Sequence, residues 1–260
     1  MDEYGKHAHE FVVNLVENAG RNLKARAEKG HSGLVFADAC REFLKKTGYS
    51  IDYEQKNNPD FHDLRTKLNT EAGLVISNHP GLPDTFAVLS ALERDDTLIL
   101  ANEKVAEHGA KIFGEKYFVP ASHDPHEAMK TFRRAIGHIS NGGLFVMFPS
   151  GSRKPEFKSG LAFILKHIHL DDMVYCFNVN ASDVSSSVVS AKMRVVGAAV
   201  EAGVGGIKNP FKAFPQTVRV NEKYTNALEW QKLLPRKAGE RKEVDEVLQR
   251  HYEEMFVHAK

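Results

Sequence analysis

Gly73-Leu74-Val75-Ile76-Ser77-Asn78-His79-Pro80-Gly81-Leu82-Pro83-Asp84 is the stretch on which the reading of this chain turns. Its first five residues form a short apolar run, rich in branched side chains and of strand length. The next seven cannot simply coil into a helix. Pro80 pushes His79 out of the α region, and Pro83 does the same to Leu82. Gly81 lets the backbone curl between them. A helix is expected to follow over Thr85–Leu92. The segment therefore reads as strand, tight loop, helix, and in an open α/β sheet the loop at the carboxyl end of a strand is where ligands bind.

The same rhythm extends on both sides. Thr97–Ala101, Tyr117–Val119, Gly143–Phe148 and Val174–Val179 are further strand-length runs, with helices expected at Val105–Phe113, His126–Ile139 and Phe157–His167. This alternation predicts an α/β domain over 71–260, with a central mixed, largely parallel sheet flanked by helices. Met193–Val200 and Thr217–Val220 are two more expected strands. Val244, Leu248, Tyr252 and Phe256, spaced by four, mark a C-terminal helix. Residues 1–70 read as a helical N-terminal region. Phe11, Val12, Leu15, Val16, Ala19 and Leu23 share one helix face, and Val35, Ala39, Cys40, Phe43 and Leu44 mark a second helix ending at Gly48. Tyr53–Pro59 reads as a loop, and Phe61–Leu68 as a short helix.

Composition narrows the class. The 260 residues are 42% hydrophobic and 27% charged, as in a soluble globular protein, which excludes collagen-like and disordered chains. Lys plus Arg number 35 against 34 Asp plus Glu, so no global pull towards nucleic acid exists. With only two cysteines, Cys40 and Cys176, a disulfide framework is not expected and a reducing compartment is. No run of about 18 apolar residues occurs, and the first residues lack the pattern of a signal peptide. The expected location is cytoplasmic, with peripheral contact on the inner face of a membrane.

Two constellations carry chemistry. In the first, a loop rather than a helix separates His79 from Asp84, because five helical steps would turn them about 140° apart. A carboxylate on one ring nitrogen fixes the tautomer and leaves the other nitrogen bare to take a proton from a hydroxyl. The bland alternative is a loop histidine with Asp84 as a helix cap. The second is Phe148-Pro149-Ser150-Gly151-Ser152-Arg153, directly after the strand Leu144–Phe148. Backbone amides around Gly151, two hydroxyls and the planar fork of Arg153 suit a phosphate. Ser150 is not expected to be a hydrolase nucleophile, since the Gly-x-Ser-x-Gly elbow is absent.

Together these motifs resemble the glycerolipid acyltransferases, the family of lysophosphatidate and glycerol-3-phosphate acyltransferases. Its Asn-His-x4-Asp is matched by Asn78, His79 and Asp84. Some 65 residues further on, its Phe-Pro-Glu-Gly-Thr-Arg is matched by Phe148–Arg153, and its Phe-Lys-x-Gly by Phe157-Lys158-Ser159-Gly160. Ser150 stands where most members carry Glu, although soluble plastid glycerol-3-phosphate acyltransferases are similar to this chain in having Pro-Ser-Gly there. The family's middle motif usually ends in an arginine. Phe118-Val119-Pro120-Ala121 supplies none, and Lys104 or Lys116 would substitute only as a point charge.

The resemblance implies transfer of a fatty acyl group from acyl-CoA or acyl carrier protein to a hydroxyl of lysophosphatidate or glycerol 3-phosphate. His79 would be the base and Asp84 its orienter, with no acyl-enzyme. Asn78, Gly81, Lys104, Ser150, Gly151, Ser152 and Arg153 would contact substrate. No metal or redox cofactor is implied, and nucleic acid is not an expected partner. A thioesterase or lipid hydrolase using the same His–Asp pair, and a non-catalytic lipid-binding relative, are the competing readings. Membrane contact would come from the amphipathic N-terminal helix or from the basic, aromatic loop Lys208–Phe214.

Overall fold

The computed structural model describes residues 35–46, 48–78, 82–150, 157, 160–180, 216–235 and 241–257. The N-terminal helix expected around Phe11–Leu23, the strand Met193–Val200, the loop Lys208–Phe214, and His79, Gly81, Gly151, Ser152 and Arg153 lie outside these residues.

In chain order the elements are α1 (Val35–Lys46), β1 (Tyr49–Tyr53), α2 (Pro59–Thr70), β2 (Gly73–Ser77), α3 (Leu82–Leu89), β3 (Thr97–Asn102), α4 (Glu103–Phe113) and β4 (Phe118–Ala121). They continue with α5 (Pro125–Ser140), β5 (Leu144–Met147), α6 (Gly160–His167), β6 (Met173–Asn180), β7 (Gln216–Asn226), α7 (Ala227–Gln231) and α8 (Arg241–Val257). Among the described residues the strands form one seven-stranded sheet in the order β1-β7-β6-β2-β5-β3-β4. The pairings of β2 with β5 and β6, and of β3 with β4 and β5, are all parallel. The expected α/β class, with a mixed and largely parallel sheet, is the observed one.

Two differences are instructive. A strand, β1, stands inside the stretch expected to be helical up to residue 70, and takes in the first residue of the expected loop Tyr53–Pro59. The strand expected at Thr217–Val220 runs on to Asn226. Its second half, Asn221-Glu222-Lys223-Tyr224-Thr225-Asn226, is mostly polar and lacks the apolar run that marked the first half.

The chain divides into two compact units. One comprises the described parts of Met1–Asp52, Pro80–Asp95 and Asn180–Val220, the other those of Tyr53–His79, Asp96–Val179 and Asn221–Lys260. In the first, α1 packs on α3 through stacked Phe43 and Phe86 rings 4.1 Å apart, with Cys40, Leu44, Ala87 and Val88 buried. Arg41 pairs with Asp38 at 3.0 Å and with Glu93. Gly48 has a φ of 78°, the left-handed turn that ends α1.

The second unit holds the parallel centre. Leu74, Ile76, Phe145, Met147, Val174 and Cys176 share one cluster with Ala135 and Ile139 of α5, Leu161, Ile164 and Leu165 of α6, and Leu248 and Tyr252 of α8. Each of these large apolar side chains contributes about 1.5–3 kcal/mol by leaving water. The start of β2 is tightly held: a Cβ at Gly73 would come within 2.5 Å of the Met173 carbonyl and 2.9 Å of the Tyr175 ring. Both cysteines are buried and free, and burial pushes their thiols well above the usual range.

Candidate active site

β2 and β5 are neighbours in register, Ile76 opposite Met147, so their carboxyl ends emerge side by side. Asn78 follows the first strand and Phe148-Pro149-Ser150 the second, with Ser150 buried. On the other side of β5, β3 ends at the same edge, where Asn102 caps α4 by accepting from the Val105 amide at 3.0 Å. Lys104, in the first turn of α4, is exposed there. Lys116 is not at this edge. It precedes β4, at the opposite end of the parallel strands, with its ammonium 4.7 Å from the Tyr117 ring centroid. Of the two lysines considered as replacements for the missing arginine, the fold brings only Lys104 near the strand ends.

Asn78 is the most completely tied residue of the site. Its amide Nδ2 donates to the Val179 carbonyl at 2.9 Å, and its Oδ1 accepts from the Val179 N–H at 2.7 Å. The side chain thus prolongs the β2–β6 ladder, whose register ends at Ser77 opposite Phe177. Its backbone N–H donates to the Tyr252 hydroxyl at 3.0 Å, and its carbonyl accepts from the Ser77 hydroxyl at 2.9 Å. Sequence reading assigned Asn78 to substrate contact. In the fold its side-chain amide is engaged with the end of β6.

Tyr252, from α8, was missed as a site residue. Its hydroxyl donates to the Phe177 carbonyl while accepting from Asn78. Burial holds the phenol well above the usual tyrosine range, so it keeps its proton. The four-residue apolar spacing in the tail marked Tyr252 as core-facing, but nothing in that spacing discloses where a hydroxyl reaches.

Phe157 is buried, its ring 5.3 Å from that of Tyr252, and its N–H donates to Gln249 Oε1 at 3.2 Å. Gly160 opens α6 where a Cβ would come within 2.5 Å of the Phe132 ring of α5, so a larger residue there would have to displace that ring. In the other unit, Asp84 lies buried in the first turn of α3, where the helix dipole favours a carboxylate.

Comparison with known proteins finds no matching family model and no matching curated protein. Among solved structures, the chain is similar to the 1-acyl-sn-glycerophosphate (LPA) acyltransferase PlsC from Thermotoga maritima. The alignment covers 99% of this chain and 85% of that one, at 16% identity and a TM-score of 0.44.

No group of three or more His, Cys, Asp or Glu suited to a metal ion occurs among the described residues. The His167 ring is engaged with the Phe163 carbonyl at 2.7 Å. No described helix is long and apolar enough to cross a membrane.

Proposed function

We propose that this protein is an acyltransferase of the glycerolipid type. It moves a fatty acyl group from an acyl-CoA or acyl-carrier-protein thioester to a hydroxyl of a glycerol-phosphate-like acceptor. The observation that carries this reading is the adjacency of β2 and β5. The two motifs resembling that family follow neighbouring parallel strands and leave the sheet at one edge.

The chemistry follows from the residues. His79 takes the proton of the acceptor hydroxyl as the oxygen attacks the thioester carbonyl. The tetrahedral intermediate collapses, the C–S bond breaks, and the leaving thiolate takes the proton back from the imidazolium. Asp84 holds the imidazole in the right tautomer and stabilises its charged form. Gly151, Ser152 and Arg153 bind the acceptor phosphate through amides, hydroxyl and planar fork, with Ser150 and Lys104 as further substrate contacts. Lys104 adds charge without a second fork, which favours a small, strongly anionic headgroup over one that must be gripped from two sides.

Purified protein incubated with labelled acyl-CoA or acyl carrier protein and a panel of acceptors tests the proposal. Transfer to glycerol 3-phosphate or lysophosphatidate is the expected result. Thioester hydrolysis that proceeds equally well without acceptor would make the protein a thioesterase instead. Binding without turnover of any donor would make it a lipid-binding relative.

A further inference from the structure

One turn of α8 contacts Asn78, the residue before His79, and Phe157, a residue beyond Arg153. Tyr252 accepts the backbone N–H of Asn78, the residue bonded to His79, at 3.0 Å. Gln249, three residues earlier on the same helix, accepts the backbone N–H of Phe157, four residues beyond Arg153, at 3.2 Å. The Gln249 amide is itself oriented by donating from Nε2 to Glu253 at 2.9 Å. The Tyr252 ring lies 5.3 Å from Phe157 on one side and 5.3 Å from Phe256 on the other.

Packing alone does not explain these polar atoms. Leu248 and Tyr252 belong to the apolar cluster, with Val244 and Phe256 packed against it, and a phenylalanine would fill the place of the Tyr252 ring. The hydroxyl is the part that needs a reason, because a buried phenol must find partners. It finds two backbone groups, the Phe177 carbonyl of β6 and the amide just past the end of β2. Beyond the β2–β6 ladder that amide would otherwise lack a backbone partner, so the helix supplies what the sheet does not.

We infer that Tyr252 and Gln249 are positioning residues, which set the two halves of the site from a single helical turn. Tyr252 fixes the segment that carries the His79 base, and Gln249 fixes the segment that follows the Gly151–Arg153 phosphate-binding run. This inference rests on the acyltransferase reading of those two motifs. Its distinctive consequence is a division of labour: one residue governs turnover and the other acceptor binding.

Tyr252→Phe keeps the ring and removes the hydroxyl, and Gln249→Met keeps the length and removes the acceptor. Tyr252→Phe should lower kcat by roughly ten- to a hundredfold, the scale of a slight misplacement of a catalytic group, with both KM values nearly unchanged. Gln249→Met should raise the acceptor KM several-fold with kcat nearly kept. A helix that merely packs would disturb both parameters in both variants, and that result overturns the inference. Hydrogen exchange of the Asn78 and Phe157 amides, with NMR titration of the His79 ring, gives a readout independent of turnover. Tyr252→Phe should speed exchange at Asn78 by tenfold or more and displace the His79 titration, leaving Phe157 protected. Gln249→Met should do the reverse. If the native protein transfers no acyl group, the functional reading falls while these exchange patterns still judge the positioning role. Unchanged protection at Asn78 in a folded Tyr252→Phe, or at Phe157 in Gln249→Met, overturns it. Should Tyr252→Phe fail to fold, the Gln249→Met arm decides alone.

Discussion

The two faces of the sheet in the larger unit are built from different materials. One buries Leu74, Ile76, Phe145, Met147, Val174 and Cys176 under α5, α6 and α8. The other, at β6 and β7, carries Tyr175, Glu222 and Tyr224, and meets α2 through Arg65, Asp63 and Lys67. Successive strand residues alternate between the two, so the contrast is written residue by residue along β6. Apolar packing holds its geometry over a wide pH range, and it is this face that supplies the contacts of α8 to Asn78 and Phe157. The ionic face changes its energy with protonation. Chemistry should therefore depend on the first face and acid–base stability on the second.

The largest expected effect concerns His79, the residue after Asn78. His79→Ala should lower acyl transfer by about 10² to 10⁴, the worth of a positioned general base, with thermal stability unchanged. Asp84→Asn should also be severe, because an amide can hold the imidazole in the wrong tautomer. Near-native turnover in either variant, measured with labelled donor, would remove the proposed mechanism.

Much of this face was legible from sequence. Gly73–Ser77 and Leu144–Met147 are short, largely apolar runs of strand length. The helix after the first begins earlier than expected: Leu82 and Pro83, expected in the loop, open α3, because a proline is tolerated in the first turn of a helix. The ionic face was not legible. The expected strand stopped at Val220, short of Glu222 and Lys223, because local composition does not reveal that Arg65, 157 residues away in sequence, will meet Glu222. β1 was overlooked although Tyr49, Ile51 and Tyr53 alternate with Ser50 and Asp52 as a half-buried strand should, because five residues between two helical stretches are a short signal. Nor did the motif letters disclose that the Asn78 amide pairs with Val179, which stands on another strand.

The next effect tests how much the apolar face contributes to stability. Trp230 of α7 is fully buried in the cluster, with its ring edge-on to His251 at 4.7 Å. Among the described residues its indole nitrogen has no hydrogen-bond partner, so its contribution is packing. Trp230→Ala should cost about 3–5 kcal/mol and lower the thermal midpoint by roughly 10 °C. Trp230→Phe should cost clearly less, because it keeps a ring and removes a desolvated donor. Calorimetry that found the two variants equal would show that the indole volume is not what matters there.

Glu222 probes the ionic face. Its carboxyl is 2% exposed and bonded to Arg65 at 2.6 Å, and Arg65 also lies over the Tyr53 ring at 4.2 Å. Two influences oppose each other: burial raises the Glu222 pKa and Arg65 lowers it. Burial prevails, from an ordinary 4.5 up to about 7. A raised carboxyl binds more protons in the folded state, so its contribution is complete below about pH 4.5 and is lost as pH climbs through about 7. Glu222→Gln keeps an acceptor for Arg65 but cannot ionise. Urea midpoints should therefore be similar for both proteins in acid, with the native chain falling progressively behind the variant towards pH 7 and above. The opposite slope would mean that Arg65 prevails over burial.

The smallest effect separates the exposed rim of the ionic face from its buried centre. The Tyr224 hydroxyl donates to Asp63 at 2.6 Å and accepts from Lys67 at 3.3 Å, while Lys67 also pairs with Asp63 at 2.9 Å. The Tyr224 hydrogen bond, then that of Lys67, holds the Asp63 carboxyl below its usual range. Tyr224→Phe removes the leading cause but leaves the Lys67 ammonium over an aromatic ring, now 4.7 Å from its centroid. A depressed carboxylate contributes stability above its unfolded pKa that is lost as pH falls through the folded one. Yet these groups face water, where solvent screens such pairs until little of that contribution survives. The Asp63 carboxyl should therefore titrate at higher pH in Tyr224→Phe, by NMR, with no measurable change in urea midpoint at neutral pH. A clear loss of stability would place this rim with Glu222 rather than with the surface, and the boundary between the two parts of the face would have to move outward.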